Sequence, residues 1–478
     1  MFLPWHASAS LAYIQRLYSR ITSKAPRLLD LPAELLFRIC IYLDYDSLVN
    51  ARQTCQTLYG VTNTRYYWET LCHYLESKPG IQQPLLESDE EKSLEKLRSH
   101  ALKTLRVHER WPTLSPQLFH ARFVGTKRSW GETAVLPGGK WLFGLFEGGQ
   151  AAIMDLDSDK PEHHILFTVP RFRVDHLPRF HLMTDDSQSK LSFHVVLFGS
   201  RIFENGTSHI CIYQVTHQPG HSPEFLATHL TTCRNSALRG QRYWVDLSER
   251  YFVQTCDRFN VRERKYSGPI LQLYCYSDGS GISKESLKRK LDKKGNARPF
   301  FLPNGHLGVA TMSSVEIFRI HESTDTALPE LISLHRIPAN LEARFMSRPF
   351  IGSRGIYLVS LTSNKTLKRI HIKHDPATPP IAEDLGPLEL NSGFFSMSHA
   401  NFGPLSSAFY LDRNCIKIAT YDLFSDSSPE YKCQQLSLAD VGITGMMQTI
   451  SGSDNSVGRI IIKFHNGGGM GFLLLDLV

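Results

Sequence analysis

The chain of 478 residues lacks the short motifs that mark most hydrolases, metalloenzymes and nucleotide-binding proteins. It contains no G-x-S-x-G nucleophile elbow and no H-E-x-x-H zinc motif. Its glycine clusters lack the lysine and the helix start that a phosphate-binding loop requires. No apolar run reaches the length of about 18 residues that a membrane-spanning helix needs. We therefore expect no catalytic residue, no metal, no cofactor and no membrane span.

The sequence also lacks a cysteine pattern typical of disulfides or zinc sites, and it lacks a large net charge. The nine cysteines are odd in number and scattered, and no C-x-x-C occurs. This spacing predicts neither a zinc site nor a disulfide framework, and it favours a reducing compartment, so we expect a cytoplasmic and/or nuclear location. With 53 Lys and Arg against 46 Asp and Glu, the net charge is +7. An excess this small permits acidic partners but does not indicate nucleic acid.

Residues 28–72 carry the densest helical pattern of the chain. Pro32 suits a first helical position, and Glu34 falls in the first turn, where a carboxylate favours the helix dipole. The pattern predicts three short packed helices, with Asp46 capping the second and Gly60 ending it. Apolar residues cover more than one stripe along the first helix. The apolar surface is therefore larger than so small a unit can bury alone.

The order and spacing of these residues resemble an F-box. The shared features are a Leu-Pro start, a Leu and an Ile on the first helix, a Leu after an acidic turn, a Cys and a late Trp. Thr54 stands where the family usually has an apolar residue. The resemblance implies docking onto the Skp-type adaptor of cullin–RING ubiquitin ligases; an ordinary three-helix subdomain is the alternative. The residues that it assigns to this contact are Leu31, Pro32, Leu35, Leu36, Ile39, Leu43, Leu48, Val49, Cys55, Leu58 and Trp68.

Two segments flank this F-box, which we place at residues 28–75. Residues 1–27 contain four basic residues, no acid and apolar residues at helical spacing. We interpret them as a basic lead-in, and a mitochondrial presequence is the alternative. Residues 76–130 are predicted to be a linker with one amphipathic helix, which ends at Trp111 because the residue before a proline disfavours helix. We expect this helix to act as a spacer.

From about residue 130 onward, short runs rich in β-branched and aromatic residues alternate with turn residues. About seven such units recur with a period near ~50 residues, which predicts a seven-bladed β-propeller over residues 131–478. A pair of stacked β-sandwiches is the alternative. The Gly-His and Trp-Asp signature of WD repeats is absent throughout, so the repeat is degenerate. We expect the C-terminal strand to close the ring by pairing near residues 117–136.

The sharpest charge feature is the basic cluster of residues 284–298. Because it lies between two β units, we predict a long exposed loop or a short helix there. Such a cluster suits nuclear import or an acidic partner, and a solvated loop without a role is the alternative. No aromatic residues are interleaved, which argues against nucleic-acid binding. The residues singled out are Lys288, Arg289, Lys290, Lys293 and Lys294.

The predicted fold class is α+β multidomain, with a small three-helix F-box, a helical linker and a large all-β domain. The predicted function is that of a non-catalytic substrate-recognition adaptor of an SCF-type ubiquitin ligase. The F-box would bind a Skp-family adaptor and through it a cullin, and the β domain would bind a client protein. One alternative is a propeller enzyme or ligand-binding protein whose N-terminal helices are only structural. Another is an F-box protein that acts outside ubiquitin ligases.

Two structural features would discriminate between the adaptor and the enzyme. Acids and histidines that converge at one mouth of the propeller channel would favour an enzyme or ligand-binding protein, because fold alone does not decide function. An apolar, unpaired helix face within residues 31–58 would favour the adaptor.

Overall fold

The computed structural model forms two compact units, which we describe separately. A helical unit lies within residues 1–78 and 92–109, and a strand unit lies within residues 79–91 and 110–478. The residues described are 27–78, 93–111, 119–126, 130–146, 149–158, 160–169, 179–184, 191–198, 208–218, 224–235, 243–248, 250–260, 265–277, 281–291, 297–321, 329–338, 341, 346–375, 378–388, 400–403, 406–412, 415–425, 431–441, 446–454, 458–466 and 469–477. The lead-in of residues 1–26 lies outside the described residues.

The described part of the helical unit contains five α-helices after a short 3-10 helix, Leu28–Asp30. They are α1 (Ala33–Ile41), α2 (Tyr45–Thr54), α3 (Gln56–Thr62), α4 (Arg65–Glu76) and α5 (Leu94–Arg110).

The F-box segment therefore holds four helices, and the prediction of three was wrong. The chain breaks at Cys55, whose backbone is extended with φ −132° and ψ 114°. Asp44, and not Asp46, caps α2, because its Oδ1 accepts a hydrogen bond from the Ser47 amide at 2.6 Å. Gly60 lies inside α3 and does not end a helix.

Buried aromatic side chains of α4 form the interior of the helical unit. The rings of Tyr67 and Trp68 are fully buried and meet edge to face at 5.1 Å. The Tyr67 hydroxyl donates to the Cys40 carbonyl at 2.8 Å, which ties α4 to α1. The Arg52 guanidinium lies 4.9 Å from the centre of the Trp68 ring and donates to the Thr62 carbonyl at 2.8 Å. These contacts join α1, α2, α3 and α4 around one small core.

Helix α5 belongs to the same unit as α1 to α4. The amphipathic helix predicted before Trp111 is confirmed, with Leu97, Ala101 and Leu105 on its buried face. The Glu109 carboxylate accepts hydrogen bonds from the Tyr45 amide at 2.7 and 2.9 Å, so it satisfies an unpaired amide at the start of α2. Among the described residues, no helix is both long and apolar enough to cross a membrane.

The strand unit consists of seven four-stranded antiparallel sheets. The strands are β1 Phe119–Thr126, β2 Trp130–Val135, β3 Trp141–Phe146, β4 Gln150–Asp155, β5 His163–Thr168, β6 Arg179–Thr184, β7 Ser192–Phe198, β8 Ser208–His217, β9 Phe225–Asn235, β10 Tyr243–Leu247, β11 Tyr251–Asn260, β12 Lys265–Ser277, β13 Gly281–Lys290, β14 Ala297–Leu302, β15 His306–Thr311, β16 Ser314–His321, β17 Glu330–Pro338, β18 Phe350–Gly352, β19 Gly355–Leu361, β20 Thr366–Lys373, β21 Ile381–Pro387, β22 Ala400–Phe402, β23 Ser406–Asp412, β24 Cys415–Thr420, β25 Lys432–Ser437, β26 Met446–Asp454, β27 Arg459–Asn466 and β28 Gly469–Leu477.

These sheets are the blades of a seven-bladed β-propeller, as the period of the sequence predicts. Blades 1 to 6 each use four consecutive strands, from β2–β5 to β22–β25. Contacts join β6 to β10, β10 to β14, β22 to β26 and β26 to β2, which places the first strand of each sheet innermost, around a central channel. In the described residues, apolar clusters fill the seams from blade 1 to blade 6 and the seam between blades 7 and 1, which covers both faces of blades 1 to 5. The alternative of two stacked sandwiches is excluded.

Blade 7 closes the ring by combining both ends of the strand unit. Its order is β1-β28-β27-β26, and β1 pairs with β28 from Phe119 opposite Leu477 to Thr126 opposite Met470. The predicted pairing of the C-terminal strand with an early strand is confirmed. This arrangement removes the open edge that two unpaired terminal strands would leave.

A buried guanidinium strengthens the seam between blades 7 and 1. Arg459 in β27 is only 4% exposed and binds both carboxylate oxygens of Asp476. It also donates to the Gly139 carbonyl at 2.8 Å and lies 2.8 Å from Oδ1 of Asp157, both in blade 1. One side chain thus links the C-terminal strands to the first complete blade.

Candidate functional site

Helix α1 carries apolar residues on two sides. Leu36, Cys40 and Ile41 are buried in the helical unit. Leu35 and Ile39 lie one turn apart on the same face and are half-buried, so both still reach solvent. An apolar pair at this spacing on the solvent side of a helix is available to a partner.

The residues that the F-box resemblance selects separate into two groups by burial. Four are buried and build the interior of the unit: Leu36, Leu48, Leu58 and Trp68. Cys55 is half-buried at the break between α2 and α3, and Pro32 is exposed. The remaining five are half-buried, and we call them the half-buried apolar set: Leu31, Leu35, Ile39, Leu43 and Val49.

A groove next to α1 adds aromatic surface that the sequence analysis missed. Its volume is about 460 Å³, and it is lined by Ala33, Glu34, Phe37, Arg38, Val61, Thr64 and Tyr66. The rings of Phe37 and Tyr66 stack with centres 5.3 Å apart, and Tyr66 is 69% exposed. The signal was the run Tyr66-Tyr67-Trp68, because three consecutive residues cannot all face one side of a helix.

The helical unit leaves several other large apolar side chains in contact with solvent. They are Leu28, Leu29, Tyr42 and Tyr59, all at least 43% exposed. The Tyr42 ring packs edge to face on Tyr74 at 5.2 Å, so it is held in place while exposed. The helical unit thus exposes several large apolar side chains besides the half-buried apolar set.

Residues 28–74 match the F-box-like family model. This segment is an F-box-like region. The comparison with curated proteins finds no match.

The comparison with solved structures finds matches at low sequence identity. Raptor from Chaetomium thermophilum is 8% identical with a TM-score of 0.45, and the match covers 91% of this chain and 36% of that chain. Sqt1 from Saccharomyces cerevisiae is 10% identical with a TM-score of 0.40, covering 72% and 83% of the two chains. The WD40 domain of SCAP from fission yeast is 9% identical with a TM-score of 0.41, covering 76% and 98%.

Burial and hydrogen bonds shift the pKa values of several side chains in the F-box-like region. Burial raises the pKa of the Cys40 thiol, so this cysteine is a packed, unreactive group. Burial also raises the pKa of Tyr67. Hydrogen bonds from the Ser47 amide and hydroxyl lower the pKa of Asp44, which keeps the α2 cap ionised. In the described part of the chain, no three His, Cys, Asp or Glu residues are placed to hold a metal.

The basic cluster is part of a blade, and the prediction of a loop or short helix was wrong for its described residues. Lys288, Arg289 and Lys290 lie on β13, the outermost strand of blade 3. The alternation of a strand separates them: Lys288 and Lys290 are exposed, whereas Arg289 is half-buried. Lysines on an edge strand also discourage pairing with a foreign strand. Lys293 and Lys294 lie outside the described residues.

Arg289 has a structural contact in the neighbouring blade. Its guanidinium lies 4.6 Å from the centre of the Phe318 ring and donates to the Leu331 carbonyl at 3.1 Å. It therefore links blades 3 and 4, and it is not presented together with the two lysines as one linear basic motif.

Proposed function

We propose that this chain is a substrate-recognition subunit of an SCF-type ubiquitin ligase. The F-box-like region binds a Skp-type adaptor and through it a cullin, and the propeller binds a client protein. The observation that carries the proposal is the half-buried apolar set, which lies within the 28–74 match and still reaches solvent.

The division of the F-box-like region into buried and half-buried residues supports this role. Leu36, Leu48 and Trp68 already supply a core, so the region does not need Leu35 and Ile39 to fold. Full burial of one such aliphatic side chain against a partner contributes about 1.5–3 kcal/mol. A few anchors of this kind account for most of the free energy of a protein interface.

The propeller is the client-binding part of the proposed receptor. Its ring is closed and its seams are packed, so it can hold the client at a fixed place. Bringing a client and a ubiquitin carrier into one assembly raises the local concentration of client lysines without new chemistry in this chain. The proposal includes a cytoplasmic and/or nuclear location, supported by seven of the nine cysteines, whose thiols form no disulfide.

The test places charge on the half-buried apolar set. Leu35→Asp combined with Ile39→Asp should weaken binding of the Skp-type adaptor at least about 100-fold, because a carboxylate buried at an interface loses its hydration. The readout is affinity capture from proteasome-inhibited cells, followed by detection of the adaptor and cullin. Leu35→Ala with Ile39→Ala should weaken capture without adding charge, and it shows whether the effect depends on lost apolar contact.

A matched control exists on α5. Ser99 and Lys103 are exposed and four residues apart, so Ser99→Asp with Lys103→Asp places two carboxylates at the same spacing on a polar surface. This variant should capture the adaptor like the wild type. Undiminished capture by the Leu35 and Ile39 aspartate variant, with both units folded by circular dichroism, would refute the proposed function.

A further inference from the structure

The proposed function leaves the groove next to α1 without a role. Its seven lining residues come from α1, from the end of α3 and from the start of α4. None of the seven belongs to the eleven residues that the F-box resemblance assigns to the adaptor contact. The groove volume of about 460 Å³ lies within the range of about 300–1,000 Å³ that is typical of sites which bury a ligand.

The groove combines aromatic rings with charged side chains. The half-buried Phe37 ring stacks on the exposed Tyr66 ring at 5.3 Å and meets the buried Tyr67 ring edge to face at 5.5 Å. Glu34 and Arg38 are exposed on α1. A fitting occupant therefore carries apolar side chains along one stripe and polar groups elsewhere, as an amphipathic helix does.

The groove and the half-buried apolar set use different sides of α1. Two residues advance a helix by about 200°, so Phe37 lies on the side of α1 away from both Leu35 and Ile39. A segment that fills the groove therefore leaves Leu35 and Ile39 open to the adaptor.

The lead-in of residues 1–26 joins the described chain at the end of α1 that lines the groove. The Arg27 amide donates to Oδ2 of Asp30 at 3.0 Å, directly before α1, which fixes where the chain enters the helical unit. The groove lining begins in the first turn of α1, at Ala33 and Glu34. The lead-in and the groove are thus neighbours along the chain.

The lead-in has the pattern and the length that the groove requires. Its apolar residues Leu11, Ile14, Tyr18 and Ile21 recur at helical spacing. As a helix, residues 11–21 would be about 15 Å long, and the nine residues of α1 span about 13 Å. Residues 22–26 reach about 17 Å when they are extended, which is enough for such a helix to turn back along α1.

The charges of the two parts have opposite signs. Residues 1–27 contain four Lys and Arg and no acid, whereas residues 28–78 contain six acids against four Lys and Arg. Arg38 would repel a basic neighbour. On a helix, however, Arg16 and Arg20 lie about 200° from Ile14 and Tyr18, so they would stay in solvent when the apolar stripe faces the groove.

We propose that the groove binds the lead-in of the same chain, as an amphipathic helix over residues 11–21 whose apolar stripe covers Phe37 and Tyr66. A short tether gives an effective concentration of the order of mM, so a modest contact area is enough. This contact goes beyond the proposed function and does not rest on it. It also decides between the two interpretations of the lead-in, because a docked segment is kept whereas a presequence is removed.

The test uses photo-cross-linking in the purified full chain. p-Benzoylphenylalanine in place of Tyr66 should cross-link to residues 11–21 of the same chain, as identified by mass spectrometry of the joined peptides. The same photo-reactive residue in place of Tyr42 is the matched control, because Tyr42 is 65% exposed against 69% for Tyr66 and does not line the groove. It should not cross-link to residues 11–21.

Two pairs of substitutions test the apolar stripe. Ile14→Glu with Tyr18→Glu should lower the yield of the cross-link about tenfold or more, because a carboxylate that is buried loses its hydration. Gln15→Glu with Ser19→Glu adds two carboxylates at the same spacing on the polar side of the helix, and it should leave the yield near that of the wild type.

Several results would overturn the inference. Absence of the cross-link from position 66, or equal cross-linking from positions 42 and 66, would show that the groove does not select the lead-in. Equal losses from the two pairs of substitutions would exclude the apolar stripe as the contact. A cross-link to a second copy of the chain or to the adaptor, in place of the lead-in, would assign the groove to that partner. A chain isolated from cells without residues 11–21 would also refute the contact.

Adaptor capture separates this contact from the proposed function. The Ile14→Glu and Tyr18→Glu variant should capture the adaptor like the wild type, because Leu35 and Ile39 lie on the other side of α1. A loss of capture in this variant would overturn the assignment of the two sides of α1 to separate partners. An intact cross-link in a wild-type chain that captures no adaptor would refute the ubiquitin-ligase role and leave the groove contact standing.

Discussion

Removal of the Arg459 guanidinium is the most direct test of how the propeller ring is closed. The side chain is 4% exposed, and it joins Asp476 of blade 7 to Gly139 and Asp157 of blade 1. Burial lowers the pKa of Arg459, but the hydrogen bonds and charge of Asp476, with the charge of Asp157, raise it by more. The guanidinium is therefore charged in the folded protein.

The size of the effect follows from what Arg459→Met leaves behind. A fully buried charge that loses its partner costs about 3–5 kcal/mol. The Asp476 side chain is 24% exposed and that of Asp157 is 49% exposed, so water can solvate part of the released charge. We therefore expect a loss of about 3 kcal/mol in the free energy of unfolding, at the lower end of that range. A second substitution, Asp476→Leu, should restore part of it by removing the orphaned carboxylate.

Urea unfolding followed by tryptophan fluorescence measures this loss, since Trp130 packs in the same seam. Arg289→Met is the matched control, because Arg289 also links two blades but is half-buried and has no carboxylate partner in the described contacts. Its loss should cost only about 1 kcal/mol. If Arg459→Met costs no more than Arg289→Met, the buried ion cluster does not hold the ring closed and the reasoning fails.

One other measurement bears on ring closure. Gly471→Ala should destabilise the propeller by about 2 kcal/mol in urea unfolding, because its Cβ would lie 2.4 Å from the Val124 carbonyl oxygen. Gly125→Ala, directly opposite, meets only a ring carbon at 3.7 Å and should cost much less.

The propeller could be predicted because its signal is local and repeated. Buried middle strands such as Trp141–Phe146 and Gly355–Leu361 appear in the sequence as short apolar runs between turn residues. Ring closure followed from the physical cost of two open edges. The helices were harder to count, since nothing in the sequence at Cys55 shows that the backbone is extended there. Asp44 and Asp46 both flank Tyr45, and the sequence pattern did not show which of them caps α2.

The sequence alone predicts some features of the candidate site and not others. The half-buried apolar set could be selected from spacing, because its residues lie within one short segment. The spacing did not separate Leu36 and Trp68, which are buried, from Leu35 and Ile39, which reach solvent. Contacts between blades could not be predicted in the same way. Asp246 meets His181 and Phe301 only because the ring brings blades 2, 3 and 4 together.

The degenerate repeat has a physical explanation in the seams between blades. Several seams bond a charged side chain to a backbone group of the next blade, but the side chain differs each time. The Asp454 carboxylate accepts from the Gly138 amide at 2.8 Å, whereas Arg369 donates to the Leu423 carbonyl at 3.2 Å. One requirement, a partner for buried backbone groups, is thus met by acids in some seams and by bases in others. No single residue type then recurs at a fixed position. The blades therefore share one fold without sharing a sequence motif.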